Sequence, residues 1–500
     1  MTILIKNGLV YDGSERIPEK KDILVRGEKI VGLGTFSKSQ TDKIIDAVGA
    51  IVTPGIVDIN TDSDRFLSIF SEPYQIDFIK QGITTIIGGN CGFSLAPFFD
   101  SSLFDLIADW SNTSKININW YSMAEFLNAV EKRKIGVNFG TLVGYSTIRQ
   151  AFIKTTETRD LTETELDAFK KILIQSLKEG AFGLSISLAH FPYRRWPFWE
   201  IKELAKTVAL TKGVYSVHLR DVEAGVGDSI AEIIDVARET NVNLEINHFQ
   251  PLKNFVESYR QALKIIEKEG VQLLINFDCY PFDTTARPIF TFLPSWIQNN
   301  SLEVMLDYLI SPHLESKILE YFRRFYFSDL TIGFTPSPFQ RLCGKTLEEF
   351  ADSINTSPPQ ALLRLMRMTR LKCIIFDRNI DENLLDEFMI SPLSIISSNG
   401  VALPEGEFKH ERNWKTFPKF LKWASNREEM SFEKAIAKIT SKPALKYGID
   451  KRGLIKEGYY ADLVIWRDYQ PTEVLLNGVI ILEEGKPLNI LAGKVLRRNI

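Results

Sequence analysis

Apolar segments and helical segments alternate through the middle of the chain. Short runs rich in β-branched and aromatic residues are typical of buried strands, at 84–89, 137–144, 182–187, 215–220, 244–249, 273–278 and 395–399. Between them, apolar residues recur at helical spacing in 161–179, 199–211, 229–240 and 254–269. This alternation predicts an α/β fold with a parallel sheet and helices outside it. A further strand at 56–62 brings the count to about eight, which favours a closed TIM (β/α)8 barrel.

Both ends of the chain contain strands of a different kind. Residues 3–10 and 22–33 alternate apolar and polar positions, and so do 458–466 and 473–481 near the C-terminus. The last two are joined by Asn477-Gly478, a dipeptide typical of tight hairpin turns. We therefore expect a small β-sandwich built from both chain termini.

Residues 285–370 interrupt the alternation, because prolines recur there among short helical pieces. We expect this region to be an insertion over the mouth of the barrel. The predicted boundaries then place the β-sandwich at 1–57 and 445–500. The barrel occupies 58–284 and 371–444.

Length, charge and cysteine content narrow the classes of function. A chain of 500 residues has room for a barrel, which takes roughly 250, and for smaller units beside it. The net charge of -3 gives no electrostatic case for nucleic-acid binding. No run approaches the roughly 18 apolar residues of a membrane span, and the N-terminus lacks a signal-peptide pattern. Four scattered cysteines form no disulfide framework, so we expect a cytoplasmic protein. The oligomeric state is left open.

Three residues suited to metal binding lie where predicted strands end. Cys91 follows a strand in a glycine-rich turn, while His218 and His248 end two later strands. Because the strands of a barrel end at a common mouth, we expect these side chains to converge. With a water, they would form a tetrahedral zinc site of catalytic type, in which the metal activates the water and polarises a carbonyl. Taken singly, each is more often a packing residue.

Motifs spread along nearly the whole chain resemble those of one enzyme family. They include Thr53-Pro-Gly-x-x-Asp58, Gly89-Asn-Cys-Gly-Phe-Ser94, His218-x-Arg-Asp221, Asp278-x-Tyr-Pro281 and Lys451-Arg-Gly-Leu-Ile455. Their order resembles that of the N-acyl-D-amino-acid deacylases (D-aminoacylases) of the amidohydrolase superfamily. The resemblance implies hydrolysis of a linear amide C–N bond in an N-acylated amino acid. It also implies one tightly held zinc ion on the residues that match Cys91, His218 and His248.

The chain departs from the family at positions important for its chemistry. The family's His-x-His on the first strand reads Asn60-Thr61-Asp62, so we expect the second metal site to be absent. The family's acid/base aspartate matches Asn399, and a family lysine near the substrate carboxylate matches Gln250. A carboxamide cannot shuttle the proton that activates water and protonates the leaving amine, a role worth roughly 10²–10⁴-fold in rate.

Two interpretations follow from the loss of this aspartate. In the first, the protein is an active amidohydrolase whose catalytic carboxylate has moved to Asp62, since strands one and eight of a closed barrel are neighbours. In the second, it is a pseudoenzyme or small-molecule-binding protein that keeps the fold and the pocket, and Asp62 is merely a solvated strand-end residue. Asp62 and Asn399 are therefore the candidate catalytic positions to compare between the two interpretations.

Other polar residues are candidates for holding a substrate. Arg220 alternates onto the face of His218 and could hold a carboxylate, or could instead pair with Asp221 or Asp278.

Tyr280 could donate a hydrogen bond to a developing oxyanion, although a barrel tyrosine is more often a core residue. Gln250 stands at the position of the family lysine. His410 lies in the run Lys409-His-Glu-Arg412, which resembles a basic loop facing the mouth in the family and could also be a solvated turn.

Overall fold

The computed structural model describes residues 1–37, 41–99, 117–153, 159–189 and 196–498. Its central feature is a series of parallel strands in which each pairs with the next along the chain. In order, these strands are Ile56–Asp58, Ile83–Gly88, Asn138–Thr141 continued by Val143–Gly144, Gly183–Ser187, Val214–His218, Asn243–Ile246, Ile275–Cys279 and Ser394–Ile396.

The eighth strand of this series returns to the first. Beyond their regular ends, Thr61 and Gly400 form a parallel bridge, and the backbone nitrogen of Asp62 donates to the Gly400 oxygen at 2.9 Å. Consecutive pairing with a closing contact is the arrangement expected of a barrel. The predicted α/β class is confirmed, and the predicted neighbour relation between the first and last strands is observed.

Helices connect the parallel strands and share one large apolar core with them. The described α-helices are Ser68–Ser71, Ile76–Ile79, Met123–Arg133, Tyr145–Arg149, Glu163–Lys178, Phe198–Leu210, Val226–Thr240, Val256–Glu269, Ser295–Gln298, Leu302–Ile310, Pro312–Phe322, Leu347–Ser353, Pro358–Met368, Glu382–Ile390, Arg412–Ala424, Phe432–Ile439 and Ser441–Tyr447. Short 3-10 turns lie at Lys253–Phe255, Ile289–Phe292, Phe327–Asp329 and Gln340–Leu342. None of the described helices combines the length and apolar character needed to cross a membrane.

Local capping explains where a predicted helix begins. The helical pattern at 161–179 becomes the helix Glu163–Lys178. It starts there because Thr162 and Glu165 form a capping box, in which each side chain accepts a hydrogen bond from the other residue's backbone nitrogen. Two otherwise unpaired donors of the first turn are thereby satisfied.

Two further sheets contain strands from both ends of the chain. One has the order Lys29–Gly34, Asp22–Arg26, Thr2–Lys6, Lys43–Asp46. The other has the order Lys486–Pro487, Val479–Glu483, Gln470–Leu476, Leu463–Arg467, Ile51–Pro54, Leu9–Val10, Glu19–Lys20. Side chains of the two sheets, among them Ile5, Val25 and Leu463, form one apolar cluster. The N- and C-terminal strands are therefore buried against one another.

The insertion has a core of its own. Its three antiparallel strands lie in the order Thr285–Pro288, Ile374–Asp377, Leu330–Phe334. Helices between these strands pack on the sheet and bury a separate cluster that includes Leu309 and Phe322. The central strand Ile374–Asp377, which follows the predicted end at residue 370, pairs on both edges with strands of the insertion.

Glu200, on a helix that connects two of the parallel strands, offers a pH-dependent test of how tightly the main core is packed. It is fully buried in the first turn of the helix Phe198–Leu210, where the Tyr145 hydroxyl donates to its carboxylate. Burial raises the pKa of Glu200 from 4.5 to about 7. The folded protein therefore binds this proton more tightly than the unfolded chain, so the free energy of unfolding should fall between about pH 5 and pH 7. We expect Glu200→Gln to remove this part of the slope in urea unfolding, whereas the exposed Glu163→Gln keeps it. An equal slope in both variants contradicts the assignment.

Candidate metal centre and cavity

The ends of the parallel strands open into a cavity of about 1520 Å³. Small-molecule pockets commonly measure roughly 300–1,000 Å³, so the space is generous for a ligand of modest size. The insertion contributes part of the wall, including Phe334 and Phe376. The predicted site residues that line the cavity are Asp62, Cys91, His218, His248, Asn399 and His410.

The three predicted metal ligands converge. Cys91 Sγ lies 3.0 Å from His248 Nε2 and 3.7 Å from His218 Nδ1, and all three atoms lie within 4.8 Å of one another. In a tetrahedral zinc site, bonds of about 2.3 Å to sulfur and 2.0 Å to nitrogen separate the ligand atoms by roughly 3.5 Å. The donor set and its spacing therefore fit a zinc ion, with a fourth position open to the cavity.

Unusual backbone conformations direct these side chains inward. Cys91 and His248, each just beyond its strand, adopt positive φ angles of 52° and 49°. For an ordinary L-residue this left-handed conformation costs about 1–2 kcal/mol, so the surrounding structure must hold it in place. Gly89 allows the Cys91 turn, because a Cβ there would lie 2.2 Å from the Leu142 carbonyl oxygen. The glycine-rich sequence around Cys91 is thus explained by close backbone contact.

Burial keeps the three groups uncharged unless a cation compensates. It raises the pKa of the Cys91 thiol to about 12 and lowers the pKa of His218 to about 4. The pKa of His248 is also held well below its usual value, by burial and by the neighbouring His218. A divalent cation between them would favour the thiolate and bind the neutral imidazoles, which is the protonation state that zinc requires.

Asn60 and Asp278 support His248 from behind. Asn60 Nδ2 lies 3.0 Å from His248 Nδ1 and 3.1 Å from Asp278 Oδ2, while Ser397 donates to Asp278 Oδ1 at 2.5 Å. Asn60 Oδ1 is buried without a hydrogen-bond partner among the described residues.

A histidine that binds a metal through Nε2 carries its hydrogen on Nδ1 and must donate it. The acceptors near His248 Nδ1 are Asn60 Oδ1, once the carboxamide is turned over, and Asp278 Oδ1 at 3.8 Å. Asn60, which stands where the family has a histidine ligand, thus contacts His248, a predicted metal ligand.

Asp62 and Asn399 reach the cavity from the neighbouring first and eighth strands. Asp62 Oδ1 lies 3.8 Å from Arg65 Nη1. Of the two candidate positions, Asp62 and Asn399, only Asp62 has a carboxylate. Asn399 has a φ of 44°, and its carboxamide forms no hydrogen bond with the described residues. The two candidate catalytic positions therefore border the same space.

Arg220 forms a structural ion pair, with a carboxylate other than Asp221 or Asp278. Its Nε and Nη2 bind the two carboxylate oxygens of Glu232 at 2.9 and 2.7 Å, and its Nη2 also donates to the Trp196 carbonyl. Glu232 lies on the helix Val226–Thr240, which packs over the strand, so sequence spacing along one strand could not identify it. Arg220 is not among the described residues that line the cavity.

Two other substrate candidates also lie behind the cavity wall. Tyr280 is 1% exposed, and its hydroxyl donates to the Thr284 oxygen at 3.2 Å, which matches the core alternative. Gln250 is buried, and neither polar atom of its side chain has a partner among the described residues.

His410 does line the cavity. Its Nδ1 accepts a hydrogen bond from the Arg412 backbone nitrogen at 3.1 Å, which places the ring hydrogen on Nε2. Burial lowers the pKa of His410 to about 3, so the ring is a neutral donor.

Arg412 is a candidate that sequence reasoning did not single out. It is only 6% exposed and lines the cavity, yet its Nε and Nη1 have no hydrogen-bond partner among the described residues. Lys409, in the same basic run, is instead paired with Asp77 at 2.7 Å. The guanidinium lies 5.6 Å from the centre of the Tyr280 ring and 5.9 Å from that of Phe376, but it has no carboxylate partner among the described ion pairs. A guanidinium at a cavity is suited to bind a carboxylate. The basic run was visible in the sequence, but burial of one member was not.

Comparison with known proteins gives matches along the whole chain. Residues 409–476 match the sequence model of the Amidohydrolase family. A D-aminoacylase from Alcaligenes xylosoxydans xylosoxydans is 26% identical over 518 residues, covering 99% of this chain and 97% of that protein.

Solved structures match equally broadly. An N-acyl-D-glutamate deacylase from Bordetella bronchiseptica, complexed with zinc and a phosphonate inhibitor, superposes with a TM-score of 0.82 at 23% identity. A D-aminoacylase described for one-metal activation and second-metal attenuation superposes with a TM-score of 0.80 at 25% identity. Each match covers 99% of both chains.

The support of His248 by Asn60 predicts an effect on metal affinity. We expect Asn60→Ala to weaken zinc binding roughly 10–100-fold, as loss of a residue that orients a ligand usually does. The readout is competition with a chromogenic chelator, and His248→Ala gives the value for a broken site. Asn243→Ala is the matched control, because its amide donates to the Lys446 oxygen at the opposite end of the sixth strand. Equal affinity in Asn60→Ala and Asn243→Ala contradicts the role of Asn60.

Proposed function

Because the chain belongs to the D-aminoacylase (N-acyl-D-amino-acid deacylase) family of the amidohydrolase superfamily, we propose that it is a metal-dependent hydrolase of the amide bond in N-acylated amino acids. The observation on which this rests is the convergence of Cys91, His218 and His248 at the cavity. The names of the relatives support a substrate with the D configuration. The strand pairing and these matches support a (β/α)8 barrel beside a β-sandwich.

We propose that a single zinc ion is held by Cys91, His218 and His248. Bound there, it would polarise the substrate carbonyl and lower the pKa of a water molecule. Asn60 and Asp62 replace the family's His-x-His, which supports a site for one metal ion. A relative described for one-metal activation is consistent with chemistry at such a site.

Arg412 is the proposed anchor for the substrate carboxylate. Arg412 lines a cavity that lacks the family lysine, since Gln250 is buried behind the wall, and its buried Nε and Nη1 have no hydrogen-bond partner among the described residues. Binding a carboxylate would satisfy these donors and neutralise the buried charge. His410, a neutral donor beside Arg412, is placed to donate a hydrogen bond from Nε2 to the same ligand.

Asp62 is the proposed proton carrier of the reaction. It is a carboxylate on the cavity, on the strand next to Asn399. Its role would be to take a proton from the attacking water and return it to the leaving amine.

A second candidate function is binding without turnover. The observation that favours it is the carboxamide of Asn399, which stands where the family has its acid/base group and cannot titrate. In this case the protein would keep the zinc and the carboxylate anchor but would release its ligand unchanged.

The two functions separate in a hydrolysis assay. We expect zinc-replete protein to hydrolyse N-acyl-D-amino acids, with N-acyl-L-amino acids and N-carbamoyl compounds as comparisons. Asp62→Ala should lower the rate roughly 10²–10⁴-fold while zinc is retained, because it removes the proton carrier. Glu407→Ala, which removes an exposed carboxylate at the rim, is the control. Unchanged hydrolysis in Asp62→Ala removes Asp62 from the mechanism, and activity only in Asn399→Asp identifies a binding protein.

Removal of the Arg412 guanidinium should act on binding. A hydrogen bond to a charged group contributes about 1.5–3 kcal/mol, so we expect Arg412→Met to raise KM roughly 10–100-fold. Lys415→Met is the matched control, since it removes an exposed cation from the same helix. Steady-state kinetics with an N-acyl amino acid and with its uncharged amide should show the effect for the acid alone. Equal losses for both compounds contradict a carboxylate anchor.

A further inference from the structure

Three asparagines in this chain are followed directly by glycine: Asn7, Asn399 and Asn477. In such a pair the backbone nitrogen of the second residue can attack the carboxamide carbon of the first. Glycine permits this best, because it has no side chain to shield the nitrogen or restrict the backbone. The pair at 399–400 differs from the others in its place, since Asn399 borders the cavity beside the proposed catalytic carboxylate.

No hydrogen bond among the described residues holds the Asn399 carboxamide in place. Asn399 lies outside the regular strand with a φ of 44°, and its side chain forms no hydrogen bond with the described residues. The Gly400 nitrogen donates to Ser398 Oγ at 2.9 Å. A hydroxyl oxygen therefore already accepts the proton that this nitrogen must lose.

We propose that Asn399 is a self-modification site, which deamidates through a cyclic imide with Gly400. The Gly400 nitrogen bonds to Asn399 Cγ, the Cγ–Nδ2 bond breaks, and Nδ2 leaves as ammonia with the proton from Gly400. A water molecule then opens the ring. Opening at the Cγ–N bond gives an aspartate, and opening at the original backbone carbonyl gives an isoaspartyl linkage. Water is the only co-reactant.

The fold favours the aspartate product. The Gly400 oxygen accepts a hydrogen bond from the Asp62 nitrogen at 2.9 Å, and Gly400 bridges to Thr61. An isoaspartyl linkage adds an atom to the main chain and would displace Gly400 from both contacts. An aspartate leaves the length of the main chain unchanged.

The consequence for activity rests on the proposed function. Deamidation would place a second carboxylate on the cavity, next to Asp62 along the closing strand pair. A carboxylate can exchange a proton with water and amine where a carboxamide cannot. The modified protein would therefore be the more active form, and its amount would increase with the age of the protein.

The other two asparagine–glycine pairs serve as internal controls. Asn477 is 3% exposed, and its carboxamide accepts from Arg452 and donates to Asn138 and Ala492 at 2.8–2.9 Å. It should resist cyclisation in the folded protein. Asn7 is exposed, with a single side-chain hydrogen bond to Asp46, and reports the rate of a surface pair.

The experiment follows zinc-replete, full-length protein during incubation in mildly alkaline buffer. Peptide mass mapping detects the replacement of NH₂ by OH at the three pairs, and an isoaspartyl methyltransferase assay distinguishes the two products. Hydrolysis of an N-acyl-D-amino acid is measured in the same samples. We expect Asn399 to convert mainly to aspartate while Asn477 stays intact, and we expect activity to rise in proportion to this conversion.

Variants set the limits of the effect. Asn399→Asp gives the activity of full conversion, which should exceed that of Asn399→Gln because a second carboxylate then shares the proton transfer with Asp62. Asn399→Gln should gain no activity during incubation, because a longer side chain must close a larger ring. Protein incubated in denaturant should convert at Asn477 as well and yield more isoaspartyl product.

Several results would overturn the inference. One is an intact Asn399 while Asn7 converts, and another is conversion of Asn477 as fast as Asn399 in folded protein. Conversion at Asn399 with no gain in activity, when Asn399→Asp is active, overturns the activating role. If Asn399→Asp binds zinc and is also inactive, the proposed function itself fails, whatever happens at Asn399.

Discussion

The contact between Gly400 and the Thr61–Asp62 segment is the constraint on which the site depends. It joins the last parallel strand to the first, so the ends of all the strands face a common space. Cys91, His218 and His248 come from the second, fifth and sixth strands, and they meet only because the series closes. The same contact brings the Asp62 and Asn399 positions to one side of that space. A single backbone pairing thus positions both the proposed metal ligands and the groups that would serve them.

The substitutions at the strand ends have structural partners. Asn60 does not fill space left by a lost histidine, since its amide contacts His248 and Asp278 directly. The oxygen of the same amide has no partner among the described residues, and turning the carboxamide over would bring it to His248 Nδ1. Asn60 therefore has a structural role of its own beside His248, whatever residue the relatives have at this position.

Sequence patterns predicted those parts of the protein that depend on interactions between residues close in the chain, or on the order of the strands. The apolar strand bodies, the helical spacing between them and the metal ligands at strand ends all follow from local pattern plus one assumption, a closed barrel. Features that depend on packing between distant segments were not accessible. The partner of Arg220 lies on a helix that packs over its strand, and the end of the insertion is set by the pairing of Ile374–Asp377. The burial of Arg412 was hidden because a basic run looks the same whether it faces solvent or a cavity.

The insertion buries its own apolar cluster, separate from the core of the strands and helices that hold the metal ligands. Because it also supplies Phe334 and Phe376 to the cavity wall, the shape of the ligand space is governed by a unit with independent packing. Substitutions at those two positions therefore fall on a sheet whose apolar core differs from the one behind Cys91, His218 and His248.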